Sequence, residues 1–372
     1  MIKRQLQNEL NTLLFKGKAI LVFGARQVGK TSLIKNTIKD TDCLWLNGDE
    51  PDTQLLLENI TSDRLKAIVG THNILVIDEA QMIHNIGLLI KRMVDNFPGI
   101  QMIASGSSAF ELADKTKESM VGRKEELQLF PLTFYEMVAH TNFIEESRLM
   151  PHRLVYGYYP EAVVNLGKEE KILNDLVDGF LYKDILNLEG IKKSATLQRL
   201  VKMLAFRIGS EINTSSLGND LGINRLTVEK YIDILEKNFI IFSLHAFSKN
   251  QDNELKKGRK IYFWDLGLRN RIIKNFKPIE LRDDVGSLWE NFIISERKKK
   301  LMYQSNLADT YFWRNTQQAE IDYIEIKNQD IDAFEIKYNP NQKVNFTKSF
   351  TKNYHPKSTQ VIHNQNYWEF IL

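Results

Sequence analysis

One eight-residue segment near the start of the chain constrains its fold more than any other. It has the pattern G-x-x-x-x-G-K-[ST], and its residues are Gly24, Ala25, Arg26, Gln27, Val28, Gly29, Lys30 and Thr31. The apolar residues 19–23 before it predict a buried strand, and residues 31–40 after it predict a helix. In such a turn, successive backbone N–H groups point at one phosphate, and the helix start adds the positive end of its dipole. Because these flanking elements disfavour a chance match, the sequence predicts a site for a nucleoside triphosphate.

The side chains at the end of this segment have separate expected roles. Lys30 would reach the outer phosphates, and the Thr31 hydroxyl would hold Mg²⁺. Ser32 follows in the predicted helix, so we count residues 24–32 as the candidate nucleotide-binding residues.

Residues 73–81 contain a second motif, four apolar residues followed by Asp78 and Glu79, which is the Walker B pattern. A buried parallel strand would deliver Asp78 beside the phosphates, since open α/β sheets bind ligands at the carboxyl ends of their strands. Asp78 would hold Mg²⁺ through water, and Glu79 would orient and deprotonate the attacking water. An ordinary strand ending in acids is the alternative, but the glycine loop upstream favours nucleotide hydrolysis.

Two further candidates lie between residues 101 and 136. The predicted strand over residues 101–108 ends in small hydroxyl residues, and Ser107, or else Ser105, would sense the γ-phosphate or the water. A Ser/Gly turn without such a role is the alternative. Arg123 would place a cation against transition-state charge, in its own subunit or in a neighbour's within a homo-oligomer. A surface arginine explains Arg123 equally well.

Four segments of the chain resemble AAA-type ATPases of bacteria and archaea: GARQVGKT, LVIDEAQ, ASGSS and GRKEELQLFPLTFYE. More narrowly, the chain is similar to the branch that carries a C-terminal domain of unknown function. That resemblance continues at residues 157–161, 260–268 and 286–292, and so covers nearly the whole chain. It implies an α/β fold with a parallel sheet flanked by helices, and Mg²⁺-dependent ATP binding and hydrolysis. The choice of ATP over GTP rests on this resemblance.

We predict four segments: an AAA-type ATP-binding domain over residues 1–142, a helical lid or linker over 143–191, a winged helix-turn-helix over 192–250 and a C-terminal domain over 251–372. In the third segment, apolar spacing predicts helices over residues 196–208, 215–221 and 225–236. The last of these would enter the DNA major groove, although Glu229 on its outer face disfavours DNA. The alternative is a winged fold used only for packing or oligomer contacts.

A local excess of basic residues follows this module. Residues 256–277 hold eight Lys or Arg against one acid, Asp265, with aromatic residues between them. Such a patch beside a helix-turn-helix is typical of nucleic-acid binding, and a solvated surface over a buried strand is the alternative. The basic residues are Lys256, Lys257, Arg259, Lys260, Arg269, Arg271, Lys274 and Lys277.

The C-terminal segment contains a sparser constellation. An acid followed a dozen residues later by E-x-K resembles the PD-(D/E)xK nucleases, which have restriction-endonuclease-like folds; Ile321 stands where that pattern often has Pro. By this resemblance Asp322 and Glu335 would bind Mg²⁺, Glu290 would assist from a helix, and Lys337 would orient the water or steady the phosphate. Metal-dependent DNA cleavage is thus one hypothesis. The other is a non-cleaving ATP-dependent switch that binds DNA or a protein.

Composition and charge indicate which classes of protein this chain can belong to. The 372 residues are 43% apolar, and the net charge of +3 implies no particular partner. The single cysteine, Cys43, excludes an internal disulfide and fits a reducing compartment. No run approaches the about 18 uncharged apolar residues of a membrane span, and the N-terminus lacks a signal-peptide core. We therefore expect a cytoplasmic protein without a membrane partner.

Overall fold

The chain folds into two units, each built on its own sheet. A computed structural model describes residues 2–39, 41–106, 120–184, 194–248, 258–306 and 308–372. The first unit comprises Met1–Pro131 with Lys237–Phe239, and the second comprises Leu132–Glu236 with Ile240–Leu372.

The first unit contains a five-stranded sheet in which all neighbouring strands are parallel, in the order β2-β3-β4-β1-β5. β1 and β3 are buried along their whole length, as expected of apolar strands in a parallel sheet covered on both faces. The predicted α/β fold with a helix-flanked parallel sheet is therefore confirmed. The strands are β1 (Ala19–Phe23), β2 (Cys43–Asn47), β3 (Ile74–Asp78), β4 (Gln101–Gly106) and β5 (Lys124–Gln128).

The strand order brings the predicted motifs to one edge of this sheet. β4 pairs with β1 on one side and with β3 on the other, so the carboxyl ends of these three strands are adjacent. The glycine loop follows β1 directly and leads into the second helix. The described helices of this unit are α1 (Leu6–Leu13), α2 (Lys30–Thr37), α3 (Pro51–Leu57), α4 (Ser62–Val69) and α5 (Ile86–Asn96), with a 3₁₀ turn at Ala80–Met82.

The second unit contains a seven-stranded mixed sheet in the order β12-β11-β10-β9-β7-β8-β6. A core of apolar side chains from β9, β10 and β11, including Trp313, Ile324 and Ala333, packs with Phe350. The strands are β6 (Glu211–Ile212), β7 (Ile241–Ala246), β8 (Arg259–Phe263), β9 (Asp309–Arg314), β10 (Glu320–Lys327), β11 (Asp330–Ile336) and β12 (Ser358–Ile362).

Most of the helices that the structure describes belong to the second unit. None of the described helices has the length and apolar character needed to span a membrane. The helices of the second unit are α6 (Phe134–His140), α7 (Phe143–Arg148), α8 (Met150–Tyr156), α9 (Pro160–Val164), α10 (Glu169–Leu176) with a π-helical continuation at Val177–Asp184, α11 (Ser194–Phe206), α12 (Thr214–Leu221), α13 (Arg225–Lys237), α14 (Leu266–Ile273), α15 (Val285–Tyr303), α16 (Lys348–Tyr354) and α17 (Tyr367–Ile371).

The structure groups the chain differently from the four predicted segments. β7 pairs in parallel with β9, and the backbone N–H of Phe247 donates to the Phe312 carbonyl at 2.7 Å, so one sheet crosses the predicted boundary at residue 250. The predicted lid is tied into the second unit as well. The Asn270 amide donates to the carbonyls of Leu154 and Val155, at 3.0 and 2.8 Å. Lid, helix-turn-helix and C-terminal segment therefore form one unit.

Candidate functional site

The glycine loop adopts a conformation that depends on its two glycines. A Cβ at Gly24 would collide with the carbonyl oxygen of Leu129. Gly29 caps α2 with a φ of 97°, in the left-handed region that disfavours side chains. These positions turn the chain from the end of β1 into α2, so that the first backbone N–H groups of the helix lie at the carboxyl edge of the sheet.

Lys30 is buried inside the loop, with 5% of its surface exposed. Its ammonium group donates to the backbone carbonyls of Gly24 and Ala25, at 2.9 and 3.0 Å. Burial lowers the pKa of Lys30, and the nearby carboxylates of Glu79 and Asp78 oppose that shift. The lysine is thus held in the loop it was predicted to serve.

Three elements meet at the carboxylate of Asp78. The Thr31 hydroxyl from α2 donates to Oδ2 at 2.8 Å, and the Ser105 hydroxyl from β4 donates to Oδ1. The backbone N–H of Glu79 also donates to Oδ1, at 3.2 Å. Carboxylate and hydroxyl oxygens are the ligands that Mg²⁺ prefers, so this donor set fits the predicted metal. The structure brings Thr31, Asp78 and Glu79 together, as the two motifs predict.

Of the two candidate sensors, the structure describes one. Ser105 is fully buried at the end of β4, and its hydroxyl contacts Asp78. Ser107 lies outside the described residues. Ser105 therefore joins the group around Asp78, and the role of Ser107 stays a prediction.

The structure does not bring Arg123 to the glycine loop. Its carbonyl accepts from the backbone N–H of Ala19, at the amino-terminal end of β1. The loop begins at the opposite end of that strand, about 13 Å away at about 3.3 Å per residue. The Arg123 guanidinium instead pairs with Asp95 at 2.7 Å. The predicted role in its own subunit does not fit this position, because the strand separates the two ends; a role in a neighbouring subunit stays a prediction.

Sequence reasoning missed two residues of this site. Arg4 is buried and donates to the carbonyl of Val28 in the loop and to that of Phe130, each at 2.6 Å. Gln81 donates from Nε2 to the carboxylate of Glu79 at 2.6 Å. Arg4 belongs to no local pattern that could have indicated its role. Gln81 stands two residues after a predicted catalytic acid, and this proximity is the sequence signal that could have indicated its role.

The second unit brings three of the predicted nuclease-like residues together. The Lys337 ammonium lies 2.7 Å from Oδ2 of Asp322 and 2.9 Å from Oε2 of Glu335. The backbone N–H of Ile336 also donates to Asp322, at 2.8 Å. Burial, reinforced by the charge of Asp322, raises the pKa of Glu335 to about 7.

Among the described residues, Asp322, Glu335 and Glu290 do not form a three-residue cluster that could hold a metal ion, and their role as metal ligands stays a prediction. Across the described parts of the chain, no three carboxylates, histidines or cysteines are grouped closely enough to hold a metal ion. Glu290 accepts from the Tyr262 hydroxyl at 2.6 Å and pairs with the buried ammonium of Lys260 at 3.2 Å. In this structure the ammonium groups of Lys260 and Lys337 pair with the carboxylates of this predicted set.

The helix predicted to enter DNA, α13, begins with an exposed arginine, and its acid Glu229 is paired with two arginines. The side chain of Arg225 is 67% exposed. Glu229 accepts from the Thr214 hydroxyl at 2.8 Å and pairs with Arg259 and, at 3.6 Å, with Arg225. Although burial opposes it, these partners hold the pKa of Glu229 below its ordinary value. The argument against DNA drawn from Glu229 is thereby weakened.

These residues line a polar groove of about 790 Å³. Arg314 from β9 forms part of its wall and pairs with Glu211 and Glu320, at 3.5 Å each. The groove thus carries both signs of charge. Its lining residues are Glu211, Ile212, Asn213, Thr214, Ser215, Arg225, Glu229, His245, Gly258, Arg259 and Arg314.

The predicted basic patch is partly absorbed into the fold. Lys260 and Arg269 are each 2% exposed, and Arg269 pairs with Asp284 at 2.6 Å. Arg271 pairs with Asp178 at 3.2 Å, whereas Lys274 and Lys277 are exposed. Lys256 and Lys257 lie outside the described residues. Buried and paired cations do not attract phosphates, so the run of basic residues overstated the surface charge.

Three family models match the chain. One, described as an AAA domain, matches residues 16–138. Two others, both described as domains of unknown function, match residues 147–278 and 285–368. The AAA match contains the glycine loop, Asp78, Glu79 and Ser105, so the AAA-type resemblance is confirmed for this part of the chain.

Relatives and solved structures are similar over much of the chain. An uncharacterized protein of Mycobacterium tuberculosis is 27% identical over 341 residues, covering 90% of this chain and 74% of the relative. One of Methanocaldococcus jannaschii is 26% identical, covering 74% and 69%. A Walker-type ATPase of Pyrococcus abyssi is 13% identical with a TM-score of 0.48, covering 73% of this chain and 96% of that one. The Orc1 protein of Aeropyrum pernix in complex with DNA is 12% identical with a TM-score of 0.31, covering 72% and 91%. TM-scores this low do not decide a fold.

Proposed function

We propose that this chain, whose residues 16–138 form an AAA domain, binds Mg-ATP, hydrolyses it, and uses its nucleotide state to control the binding of DNA. The observation that carries the first part is the meeting of the hydroxyls of Thr31 and Ser105 at the carboxylate of Asp78, beside the glycine loop. A junction of α2, β3 and β4 with only a structural role would not need two hydroxyls and a carboxylate to meet beside the glycine loop.

In the proposed reaction each residue has one task. The N–H groups of the loop and the Lys30 ammonium bind the outer phosphates. Thr31 and Asp78 would hold Mg²⁺, Asp78 through water, and the ion would supply electrostatic stabilisation of the charge on the phosphoryl group. Glu79 orients the attacking water and takes its proton, while β3 holds this carboxylate next to Asp78.

Removal of Mg²⁺ tests the proposed hydrolysis. We expect the purified protein to release phosphate from ATP in the presence of Mg²⁺, and release to fall to background when EDTA is in excess. The reason is that Thr31 and Asp78 offer oxygen ligands suited to this ion beside the loop. Phosphate release followed by a colorimetric assay, with Mg²⁺ restored as the control, measures the effect. Release that is absent with Mg²⁺, or unchanged by EDTA, contradicts the proposal.

The DNA part of the proposal is supported by the order of elements in residues 194–263. It runs helix, strand, helix, helix, strand, strand, from α11 through β6, α12, α13 and β7 to β8, which is the order of a winged helix. The exposed Arg225 and the ion-paired Glu229 lie on α13, which would face the major groove. Cleavage by the second unit stays a hypothesis beside the non-cleaving form, because Lys337, which pairs with Asp322 and Glu335, also belongs to the predicted nuclease pattern.

A substitution at the start of α13 tests DNA binding. We expect Arg225→Gln to weaken binding of a labelled duplex and to reduce the slope of log affinity against log salt by about 1, because one phosphate contact is lost. Fluorescence anisotropy over a series of NaCl concentrations measures both quantities. Lys171→Gln, which removes an exposed charge from α10, is the matched control and should bind as the wild type does. Absence of any DNA binding by the wild type points instead to a protein partner.

A further inference from the structure

Gln81 makes an unusual contact with the predicted catalytic acid. It lies in the 3₁₀ turn that follows β3, and its Nε2 donates to Oε2 of Glu79 at 2.6 Å. Its other amide atom, Oε1, is buried and has no hydrogen-bond partner among the described residues. Among the described residues, the side-chain amide is therefore held by a hydrogen bond at its Nε2 end alone, to Glu79.

The orientation of this amide is fixed by chemistry. An ionised carboxylate only accepts hydrogen bonds, so the NH₂ group of Gln81 must face Glu79 and its carbonyl must face away. A flipped amide would set two acceptors against each other. Buried polar atoms are nearly always paired, and leaving Oε1 unpaired costs stability. The amide therefore keeps its donor on Glu79 although Oε1 stays unpaired among the described residues.

The backbone of Glu79 is already constrained by other contacts. Its φ of 47° is left-handed, and its carbonyl accepts from the backbone N–H of Met82 at 3.1 Å. Gly48 at the end of β2 packs so closely that a Cβ there would collide with the same carbonyl. With the backbone held in this way, the remaining freedom of Glu79 lies in its side-chain torsions, and the hydrogen bond from Gln81 restricts these.

We propose that Gln81 is a positioning residue that sets the direction of the Glu79 carboxylate toward the attacking water. The inference rests on the proposed ATPase function. Gln81 acts through Glu79 and not through the nucleotide, so its loss should affect turnover and leave nucleotide affinity in place. A residue with a purely structural role would alter stability and would act independently of Glu79.

A double-mutant cycle separates these roles. Gln81→Met keeps an unbranched side chain of similar length and removes the donor, and it is made in the wild type and in Glu79→Gln. In the wild type we expect kcat to fall about tenfold to a hundredfold, since misplacing a catalytic group by about 1 Å can cost about a hundredfold. The affinity for ATP should change less than twofold. In the Glu79→Gln background Gln81→Met should cause no further loss of kcat, because the group it positions is already gone.

Gln54→Met is the matched control. Its Nε2 donates to the carbonyl of Gly48 at 2.7 Å, so this variant loses a comparable hydrogen bond at the same edge of the sheet without removing a donor to Glu79. It should keep the wild-type kcat. Gln81→Glu, which sets a like charge against Glu79, should lower kcat at least as much as Gln81→Met, and it serves as the second variant if Gln81→Met proves unstable.

The outcomes distinguish this inference from the proposed function. Wild-type turnover in Gln81→Met, or a loss of kcat that adds fully to that of Glu79→Gln, overturns the role of Gln81 while the ATPase assignment stands. If Glu79→Gln itself hydrolyses ATP at the wild-type rate, the proposed function fails first.

Discussion

Lys30→Ala is expected to weaken the binding of Mg-ATP by about 100-fold or more. The ammonium lies inside the glycine loop, 2.9 and 3.0 Å from two of its carbonyls, and would meet the outer phosphates. Two charge-assisted hydrogen bonds at about 1.5 kcal/mol or more each amount to about 3 kcal/mol, which is about a hundredfold in Kd. Isothermal titration with a non-hydrolysable ATP analogue in Mg²⁺ measures this change directly.

A second lysine on the same helix provides the control for Lys30→Ala. Lys35 lies about one and a half turns further along α2, is exposed, and its ammonium stands 5.0 Å from the ring centre of Trp45. Lys35→Ala removes the same charge and the same side-chain atoms from the same helix, yet it should leave the Kd for the analogue within twofold of wild type. If Lys30→Ala and the wild type bind the ATP analogue with equal affinity, the glycine loop is not part of the nucleotide site. Equal losses in both variants would indicate a general effect of charge.

Glu79→Gln should retain ATP and lose turnover by about 10²- to 10⁴-fold, the usual contribution of a general base. The substitution keeps the size of the side chain and removes its capacity to take a proton. Because Asp78, Thr31 and Lys30 remain in place, the affinity for Mg-ATP should change little. Steady-state phosphate release and equilibrium binding, measured on the same preparation, separate the two properties.

The control for Glu79→Gln is a glutamate on the same unit that lies outside the site. Glu58 is exposed at the end of α3, and Glu58→Gln should hydrolyse ATP as the wild type does. A Glu79→Gln protein that binds ATP and hydrolyses it undiminished would show that another group accepts the proton. Undiminished hydrolysis in both Glu79→Gln and Lys30→Ala would refute the whole assignment.

The nucleotide site could be predicted from the sequence because its parts are local. The spacing of Gly24, Gly29 and Lys30 is set by a single turn between a strand and a helix, and Asp78 follows a buried strand directly. Arg4 could not be found in this way. One of its hydrogen bonds crosses 126 positions of sequence to Phe130, and no periodicity or motif encodes such a contact.

In the second unit, local reasoning reached only part of the arrangement. Residues two apart on a strand share a face, and Glu335 and Lys337 do share an ion pair. Lys260 pairs with Glu290 because the fold places β8 beside α15. No local pattern in either segment indicates that placement. The pairing of β7 with β9 is likewise long-range, and it is the reason why residue 250 does not divide the chain.

The most direct test of the central claim is the identity of the nucleotide that remains after a single turnover. The protein is mixed with a substoichiometric amount of ATP in Mg²⁺, quenched with acid after a fixed time, and the nucleotide is separated by chromatography. Wild type should yield ADP, and Glu79→Gln, quenched at the same time, should yield ATP. Unchanged ATP from the wild type, or ADP in equal amounts from both proteins, would contradict hydrolysis at the site formed by Lys30, Thr31, Asp78 and Glu79.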